Sequence, residues 1–287
     1  MPELPEVEVV KKSLENKLKN LTIKRVNITN KKLRYIIDRK LFSKIKSQKI
    51  ISIKRRSKYL LLNLNKNSTI LAHLGMTGKF LIIDNNKKYK TSFYYSLKQN
   101  DTKHDHITFI LNKKIKLIYN DVRKFGFLKI FNSTNIFKCS HLVSLGPEPL
   151  SRNFNFSYFN KYIFNKKTKI KDLIMDQKFV AGLGNIYCNE VLYSCKINPA
   201  RTVEKIKKKE IKKIIKFIKI ILKQAIQLGG SSIKNFSSTE GQGGNFQQKF
   251  NVYGREKATC NRSKCLGTIK KVYTSNRSSF FCPECQK

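Results

Sequence analysis

The sequence predicts an α+β protein with a β-rich first half, a helical second half and a small cysteine module at its end. From Thr22 to Asn132, short runs of β-branched and aromatic residues alternate with turn formers. After Gly146-Pro147-Glu148-Pro149, which marks a domain junction, apolar residues recur at helical spacing. Four of the 7 cysteines lie close together near the C-terminus.

An amphipathic helix is predicted directly after Pro5. Glu6 and Glu8 in its first turn suit the positive end of the helix dipole. The apolar residues recur every three or four positions, at Val7, Val10, Leu14, Leu18 and Leu21.

Short strands are predicted next, and their close spacing indicates an antiparallel sandwich or barrel. They cover residues 23–28, 50–55, 59–64, 69–74, 79–83, 107–111, 115–119 and 126–131. The segment from Asp84 to Asp105 is polar and rich in Lys, which predicts a surface excursion between strands.

The second half predicts a long amphipathic helix between Ile206 and Ile226, with Lys on its polar face and Gly229-Gly230 at its end. Residues 237–245 are rich in Ser and Gly, a composition typical of a mobile loop.

The composition indicates an intracellular protein that binds a polyanion. Lys and Arg number 60 against 18 Asp and Glu, which gives a net charge of +42, and nucleic acid is the commonest polyanion. Part of this charge is background, because Lys, Asn and Ile are abundant throughout, as AT-rich coding DNA produces. A membrane surface is the weaker alternative, since no single amphipathic helix carries the charge. No apolar run reaches the length of a membrane helix and the start is untypical of a signal peptide, so we expect a cytoplasmic location.

The cysteine cluster predicts one structural zinc ion. Two close pairs of thiolates joined by a short excursion suit tetrahedral Zn²⁺ in a ribbon of hairpins. Four protein thiolates leave no open coordination position, so the metal would fold the module and perform no chemistry. A redox-active Cys-x-x-Cys is the alternative, which the missing βαβ context disfavours. The four residues are Cys260, Cys265, Cys282 and Cys285.

The N-terminus offers an unusual nucleophile. Removal of Met1 would leave Pro2 with a secondary amine, whose reference pKa of about 8 lies well below that of a lysine. Such an amine attacks a sugar aldehyde carbon to give an iminium, and Glu3 and Glu6 stand beside it to move protons. The alternative is that Pro2 and Pro5 merely begin a helix.

Several motifs, taken in order, resemble those of bacterial formamidopyrimidine-DNA glycosylases (8-oxoguanine DNA glycosylase and abasic-site lyase) over nearly the whole chain. The N-terminal Pro-Glu-Leu-Pro-Glu-Val is followed by matches at 55–62, 73–78, 103–106, 146–150, 182–187 and 252–255, and then by the cysteine quartet. The spacer between Cys260 and Cys265 has four residues where the family usually has two.

The resemblance implies an N-terminal antiparallel β-sandwich with a flanking helix, a helical domain with a helix-two-turns-helix element, and a terminal zinc ribbon. We accordingly expect a catalytic domain at 1–132, a linker at 133–150, a helical DNA-binding domain with a lid loop at 151–245, and a four-Cys zinc-finger module at 246–287.

The resemblance also implies an activity: excision of oxidised purines from duplex DNA, then cleavage of the abasic site by β,δ-elimination. Pro2 would be the nucleophile at C1′, Glu3 would protonate the sugar ring oxygen, and Glu6 would hold the N-terminus in order. Lys58 would steady the phosphate beside the lesion. Zinc is the only cofactor implied, and we expect a monomer associated with the nucleoid through DNA.

Three further residues match those that fill the gap left by an everted nucleotide: Met76, Arg123 and Phe125. Val122 and Lys124 stand where the family usually has Pro and Arg. Judged without the family, Met76 and Phe125 are more typical of core residues.

The remaining matched positions contact DNA. His73 and Asn185 correspond to ligands of phosphates beside the lesion, and His104 and Tyr253 belong to the same DNA-binding set. Arg277 matches the zinc-hairpin arginine that enters the minor groove, and we count it in the catalytic set as well. His104 and His106 could alternatively be taken for a metal pair.

Two other functions compete with this hypothesis. One is an endonuclease VIII-type glycosylase for oxidised pyrimidines, which Leu4 and the complete Met-Arg-Phe set disfavour. The other is a non-catalytic zinc-ribbon protein that binds nucleic acid, which intact Pro2, Glu3 and Lys58 disfavour.

Overall fold

The structure, a computed structural model, describes residues 1–85, 87–91, 102–231 and 246–287. The described chain divides into two units, the first built from residues 1–143 with 228–231, and the second from residues 144–227 with 246–287. The sequence-based domain limits stay predictions. The lid loop expected within 237–245 lies outside the described residues.

The described part of the first unit contains two α-helices and two antiparallel sheets. The helices are α1 (Leu4–Leu18) and α2 (Arg39–Lys44). The strands are β1 (Ile23–Ile28), β2 (Ile50–Arg56), β3 (Tyr59–Leu64), β4 (Ser68–His73), β5 (Lys79–Asp84), β6 (Lys87–Lys90), β7 (Asp105–Leu111), β8 (Lys116–Asn120) and β9 (Phe127–Asn132). One sheet has the order β1-β7-β8-β5-β6 and the other β2-β3-β4-β9.

A single apolar core joins these sheets to α1, as the predicted sandwich requires. Leu62 from one sheet, Phe80 and Phe109 from the other, and Val10 from α1 belong to the same cluster of buried residues. Burial of each such side chain contributes about 1.5–3 kcal/mol relative to exposure. The antiparallel sandwich with a flanking helix is confirmed.

The predicted strands all form, with limits that differ by at most two residues. Among the described residues of the first unit, the pattern misses β6, which pairs with β5 at the edge of its sheet inside the Lys-rich excursion. Its sequence, Lys-Lys-Tyr-Lys, lacks the alternation of apolar residues that predicts a strand. An edge strand tolerates charged side chains, so the segment can still pair with β5.

The second unit is helical and ends in a hairpin. Its helices are α3 (Phe156–Ile163), α4 (Ile170–Met175), α5 (Asn185–Cys195) and α6 (Lys208–Gln227), and its hairpin is β10 (Lys270–Thr274) with β11 (Arg277–Phe281). The apolar face of α6, including Ile214 and Ile218, is buried, and α6 packs on α3 and α5. The predicted long helix is confirmed, beginning two residues after Ile206. Within the described ranges, no helix has the length and apolarity needed to cross a membrane.

Candidate active site

The N-terminal turn is held by two carboxylates. Glu3 is the N-cap of α1, and its backbone N–H donates to Glu6 Oε2 over 2.9 Å, as part of a capping box. Glu6 Oε1 accepts from the backbone N–H and the hydroxyl of Ser231, at 2.9 and 3.0 Å. Pro5 lies in the first helical turn, so its helix-starting role is confirmed. Pro2 precedes the helix and is buried.

The α-amino group lies among charged side chains. Burial is the main cause that lowers the pKa of the Met1 amine. Glu3 and Glu6 oppose this shift, whereas the positive charges of Lys58 and Arg123 add to it. The structure therefore brings together the N-terminus and three residues that the sequence singled out: Glu3, Glu6 and Lys58.

Lys58 owes its position to a tight turn. Ser57 and Lys58 connect β2 to β3 after the pair Arg56 and Tyr59, and Ser57 has a left-handed φ of 55°. Lys58 is buried, with 7% of its surface exposed. Arg55 fixes the turn, because its Nη1 donates to the Ser57 carbonyl over 3.0 Å while its Nε lies 2.6 Å from Glu8 Oε2 in α1. One ion pair thus ties the helix with the N-terminal turn to the hairpin with Lys58.

His73 is held as a neutral ring at the end of β4. Its Nδ1 accepts the backbone N–H of Gly75 over 3.1 Å, so the ring proton resides on Nε2. Burial, with smaller effects from Lys58 and Arg34, lowers the pKa of His73 to about 4. At neutral pH the ring is an uncharged hydrogen-bond donor.

The three predicted gap-filling residues are exposed together. Met76 and Phe125 expose 39% and 46% of their surfaces, so the alternative that they are core residues is wrong. The Arg123 guanidinium lies 4.5 Å from the centre of the Phe125 ring, a cation–π distance. The same residues line a cavity of about 530 Å³ together with Met1, Arg34, His73, Gly75 and Lys124. Arg34 was not singled out from the sequence, because no motif surrounds it.

The two histidines of 103–106 have structural partners. His106 is buried and its Nε2 lies 2.8 Å from the Asp121 carbonyl, while the backbone carbonyl of His104 accepts from Asp121 N–H over 3.1 Å. Among the described residues, the metal-binding geometry that the structure offers is the cysteine quartet. The DNA-binding role of His104 stays a prediction.

In the second unit, three polar side chains fix the strand that begins with Arg277. Asn185, the first residue of α5, donates to the Ser278 carbonyl over 3.0 Å. Lys171 Nζ donates to the same carbonyl and to Ser279 Oγ, each over 2.8 Å. Asn189 Oδ1 accepts from Phe280 N–H over 2.9 Å. Arg277 itself is exposed.

Lys171 is a buried cation that sequence reasoning missed. It is fully buried, and burial is the main cause that lowers its pKa to about 8. A lone Lys in a short helix carries no pattern that reveals its burial, and its partners stand 107 positions later.

Glu190, also missed, organises the start of the predicted cysteine module. This buried carboxylate accepts the backbone N–H groups of Asn251, Val252 and Tyr253 at 2.9, 3.0 and 2.9 Å. Burial raises the pKa of Glu190, although these hydrogen bonds favour its charged form. Tyr253 is placed by this contact, and its ring centre lies 5.1 Å from that of Phe280.

The cysteine quartet has the geometry of a tetrahedral metal site. All four Sγ atoms lie within 4.8 Å of one another. The Sγ atoms of Cys260 and Cys285 are 3.8 Å apart, and those of Cys265 and Cys282 are 3.6 Å apart. A tetrahedron with Zn–S bonds of about 2.3 Å has edges of about 3.8 Å, so the residues fit zinc despite the long spacer.

The four-residue spacer between Cys260 and Cys265 contacts helix α5 through Arg262. Arg262 stacks on the Tyr193 ring at 4.7 Å, and its Nη2 donates to the Tyr193 carbonyl over 2.8 Å. The long knuckle thus contacts the last turn of α5, where a cation suits the negative end of the helix.

The chain is similar to one family of proteins along its whole length. A family model for the formamidopyrimidine-DNA glycosylase N-terminal domain matches residues 1–128, and one for the H2TH domain of the same proteins matches residues 145–237. Proteins named formamidopyrimidine-DNA glycosylase from Rickettsia bellii and Dinoroseobacter shibae are 39% and 36% identical over 287 residues, covering 100% of both chains.

Solved structures are likewise similar to this chain over nearly its whole length. A complex between the Lactococcus lactis protein of this name and DNA containing an abasic site has a TM-score of 0.85 and 32% identity over 99% of each chain. A complex between a mutant of that protein and DNA containing Fapy-dG has a TM-score of 0.86 and 33% identity over 100% of each chain.

We predict that His73 stays neutral throughout the physiological range. Its imidazole ¹⁵N shifts should show a protonated Nε2 and a bare Nδ1, with a titration midpoint near 4. Because this pKa lies below the value of about 6.5 in an unfolded chain, the unfolded state binds the proton first. The stability that neutral His73 contributes is therefore complete above about pH 6.5 and declines as pH falls toward 4. A midpoint near 6.5 would contradict this description.

Proposed function

Because this chain belongs to the formamidopyrimidine-DNA glycosylase family, we propose that it is a bifunctional repair enzyme for oxidised purines in duplex DNA. It excises 8-oxoguanine and formamidopyrimidines and then cleaves the abasic site by β,δ-elimination. The observation that carries the proposal is the N-terminal amine among Glu3, Glu6 and Lys58, beside a cavity lined by Met76, Arg123 and Phe125.

The nucleophile is the secondary amine of Pro2 after removal of Met1. Burial and the charges of Lys58 and Arg123 favour an unprotonated amine at this end of the chain, which is the form that attacks. The nitrogen bonds to C1′ of the damaged nucleotide as the bond from C1′ to the base breaks, and the base leaves with a proton. Protonation of the ring oxygen by Glu3 opens the sugar and leaves an iminium.

The strand breaks follow from the iminium. This electron sink acidifies C2′, so removal of a C2′ proton expels the 3′ phosphate and a second elimination expels the 5′ phosphate. Hydrolysis of the remaining iminium frees Pro2. Glu6 supports these steps by holding Glu3 N–H, and Lys58 steadies the phosphate beside the lesion.

The exposed residues of the cavity serve base eversion. A base inside a duplex is out of reach, so the nucleotide must be rotated out and the gap filled. Met76 and Phe125 are apolar and exposed, as an inserted wedge requires, and Arg123 can donate to the acceptors of an orphaned cytosine. His73, His104, Asn185, Tyr253 and Arg277 complete the DNA-binding set.

One structural zinc ion belongs to the cysteine quartet. Bound by Cys260, Cys265, Cys282 and Cys285, it would stabilise the module that presents Arg277, without an open position for chemistry.

We predict a covalent intermediate that borohydride reduction makes permanent. With duplex DNA carrying 8-oxoguanine opposite C, the purified protein should give an irreversible adduct, and Pro2→Gly should lose it, since the pyrrolidine ring that fixes the amine is removed. Glu15→Gln, in the same helix and paired with Lys11, is a control that leaves Pro2 and the Arg55–Glu8 ion pair intact. Thymine glycol in a parallel duplex measures the preference for purines. DNA binding with no adduct would instead support a non-catalytic nucleic-acid binder, and faster reaction with thymine glycol would support the endonuclease VIII-type alternative.

We predict that binding depends steeply on salt. If about six phosphates are neutralised, log affinity falls with log salt at a slope of about −5. Arg277→Gln should reduce the slope by about 1, because one cation is lost. His73→Gln should weaken binding while leaving the slope unchanged, because the ring is neutral. An equal change of slope in both variants would refute the role of His73 as an uncharged donor.

We predict one zinc ion per chain, measured by elemental analysis. Cys285→Ser should lose the zinc and weaken DNA binding, because the module that carries Arg277 unfolds locally. Cys139→Ser is the matched control, since this free cysteine lies outside the quartet. Full zinc content in Cys285→Ser would overturn the assignment.

A further inference from the structure

Two loops of the first unit carry the three exposed residues of the cavity. The Met76 loop, residues 74–78, follows β4, and the Arg123 loop, residues 121–126, follows β8 and carries Arg123 and Phe125. Their backbones touch. A Cβ at Gly75 would lie 2.5 Å from the backbone nitrogen of Gly126 and from the carbonyl carbon of Phe125, so only glycine fits this crossing.

A buried carboxylate joins the two loops. Asp121 is fully buried, and its Oδ1 accepts from the Thr77 hydroxyl of the Met76 loop. Its Oδ2 accepts from the backbone N–H of Gly126 over 2.8 Å, at the far end of the Arg123 loop. The Asp121 carbonyl also accepts from Lys124 N–H over 3.3 Å. One side chain therefore bonds to the Met76 loop near its end and to the Arg123 loop at its end.

Thr77 completes the connection at Arg123. Its hydroxyl has one proton, which it gives to Asp121, and its oxygen accepts the backbone N–H of Arg123 over 3.0 Å. A chain of hydrogen bonds thus runs from Arg123 through Thr77 to Asp121. Bonds in such a chain strengthen one another, above all around a buried charge.

At the exposed positions of the Arg123 loop, the hydrogen bonds described above come from the backbone N–H groups of Arg123 and Lys124. Val122 exposes 48% of its surface, and Lys124 is exposed with a left-handed φ of 55°. These are the two positions where the sequence departs from the family pattern. The buried network through Asp121 and Thr77 is independent of their side chains, so the loop keeps its shape.

We propose that Asp121 and Thr77 are positioning residues that hold Met76, Arg123 and Phe125 as one rigid wedge for insertion into DNA. This inference rests on the proposed function. A preorganised wedge avoids the cost of ordering three long side chains and two loops when the base leaves the stack. Loss of the network should therefore slow eversion and leave the reaction at an accessible sugar intact.

The test compares two substrates and two variants of one residue. Thr77→Val removes the hydroxyl with little change of shape, and Thr77→Ser keeps it. The substrates are a duplex with 8-oxoguanine opposite C, which needs eversion, and a single strand with a preformed abasic site, which does not. Single-turnover excision and borohydride trapping are measured, with 2-aminopurine beside the lesion reporting unstacking.

Thr77→Val should slow duplex excision and the fluorescence change about tenfold, the effect of one lost hydrogen bond to a buried charge. Its trapping on the single strand should stay within about twofold of wild type, and Thr77→Ser should recover duplex excision. A folded Asp121→Asn variant should show the same loss of duplex excision as Thr77→Val.

Equal losses on both substrates would overturn the inference in favour of general structural damage, and unchanged duplex excision would overturn it outright. Neither result would contradict the proposed function, because the wild-type protein would still form its adduct. A wild type that forms no adduct on the abasic strand would defeat the proposed function itself, and the inference with it.

Discussion

The proposed chemistry depends on the fixed position of the N-terminus. Chain ends are normally mobile, yet here the first turn is buried and its amine lies among Glu3, Glu6 and Lys58. The hydrogen bond from Glu3 N–H to Glu6 and the bonds from Glu6 to Ser231 immobilise it. A terminal amine can act as a nucleophile only if it is both held and unprotonated. Pro2 is buried, which restricts the chain, and burial lowers the pKa of the Met1 amine next to it.

The residues proposed to act on DNA are held in place by polar contacts inside the protein, and these contacts need not touch DNA themselves. Arg55 bonds to Glu8 and to the Ser57 carbonyl behind Lys58. Gly75 N–H fixes the tautomer of His73, and Asp121 holds the two loops of the wedge. In the second unit, Lys171 and Asn185 meet at the Ser278 carbonyl next to Arg277. Rigid strands and helices thus present short loops whose shape is fixed by contacts inside the protein.

Most of the fold and the outline of the site could be predicted from sequence. Strands were found because β-branched runs and turn formers alternate, while β6 escaped because its Lys-rich edge lacks that pattern. The N-terminal and cysteine residues were found because their chemistry is local in sequence. Lys171, Glu190 and Asp121 were missed because a charged residue gives no local sign of burial, and its partners lie far along the chain, 107 positions away for Lys171. The exposure of Met76 and Phe125 likewise depends on loop packing that composition does not encode.

The identity of the nucleophile is tested most directly by mass spectrometry of the borohydride adduct after protease digestion. If Pro2 is the nucleophile, the sugar remnant will be attached to a peptide that begins with Pro2 and lacks Met1. Attachment to Lys58 or another lysine, or an active enzyme whose N-terminus retains Met1 or carries an acetyl group, would contradict it.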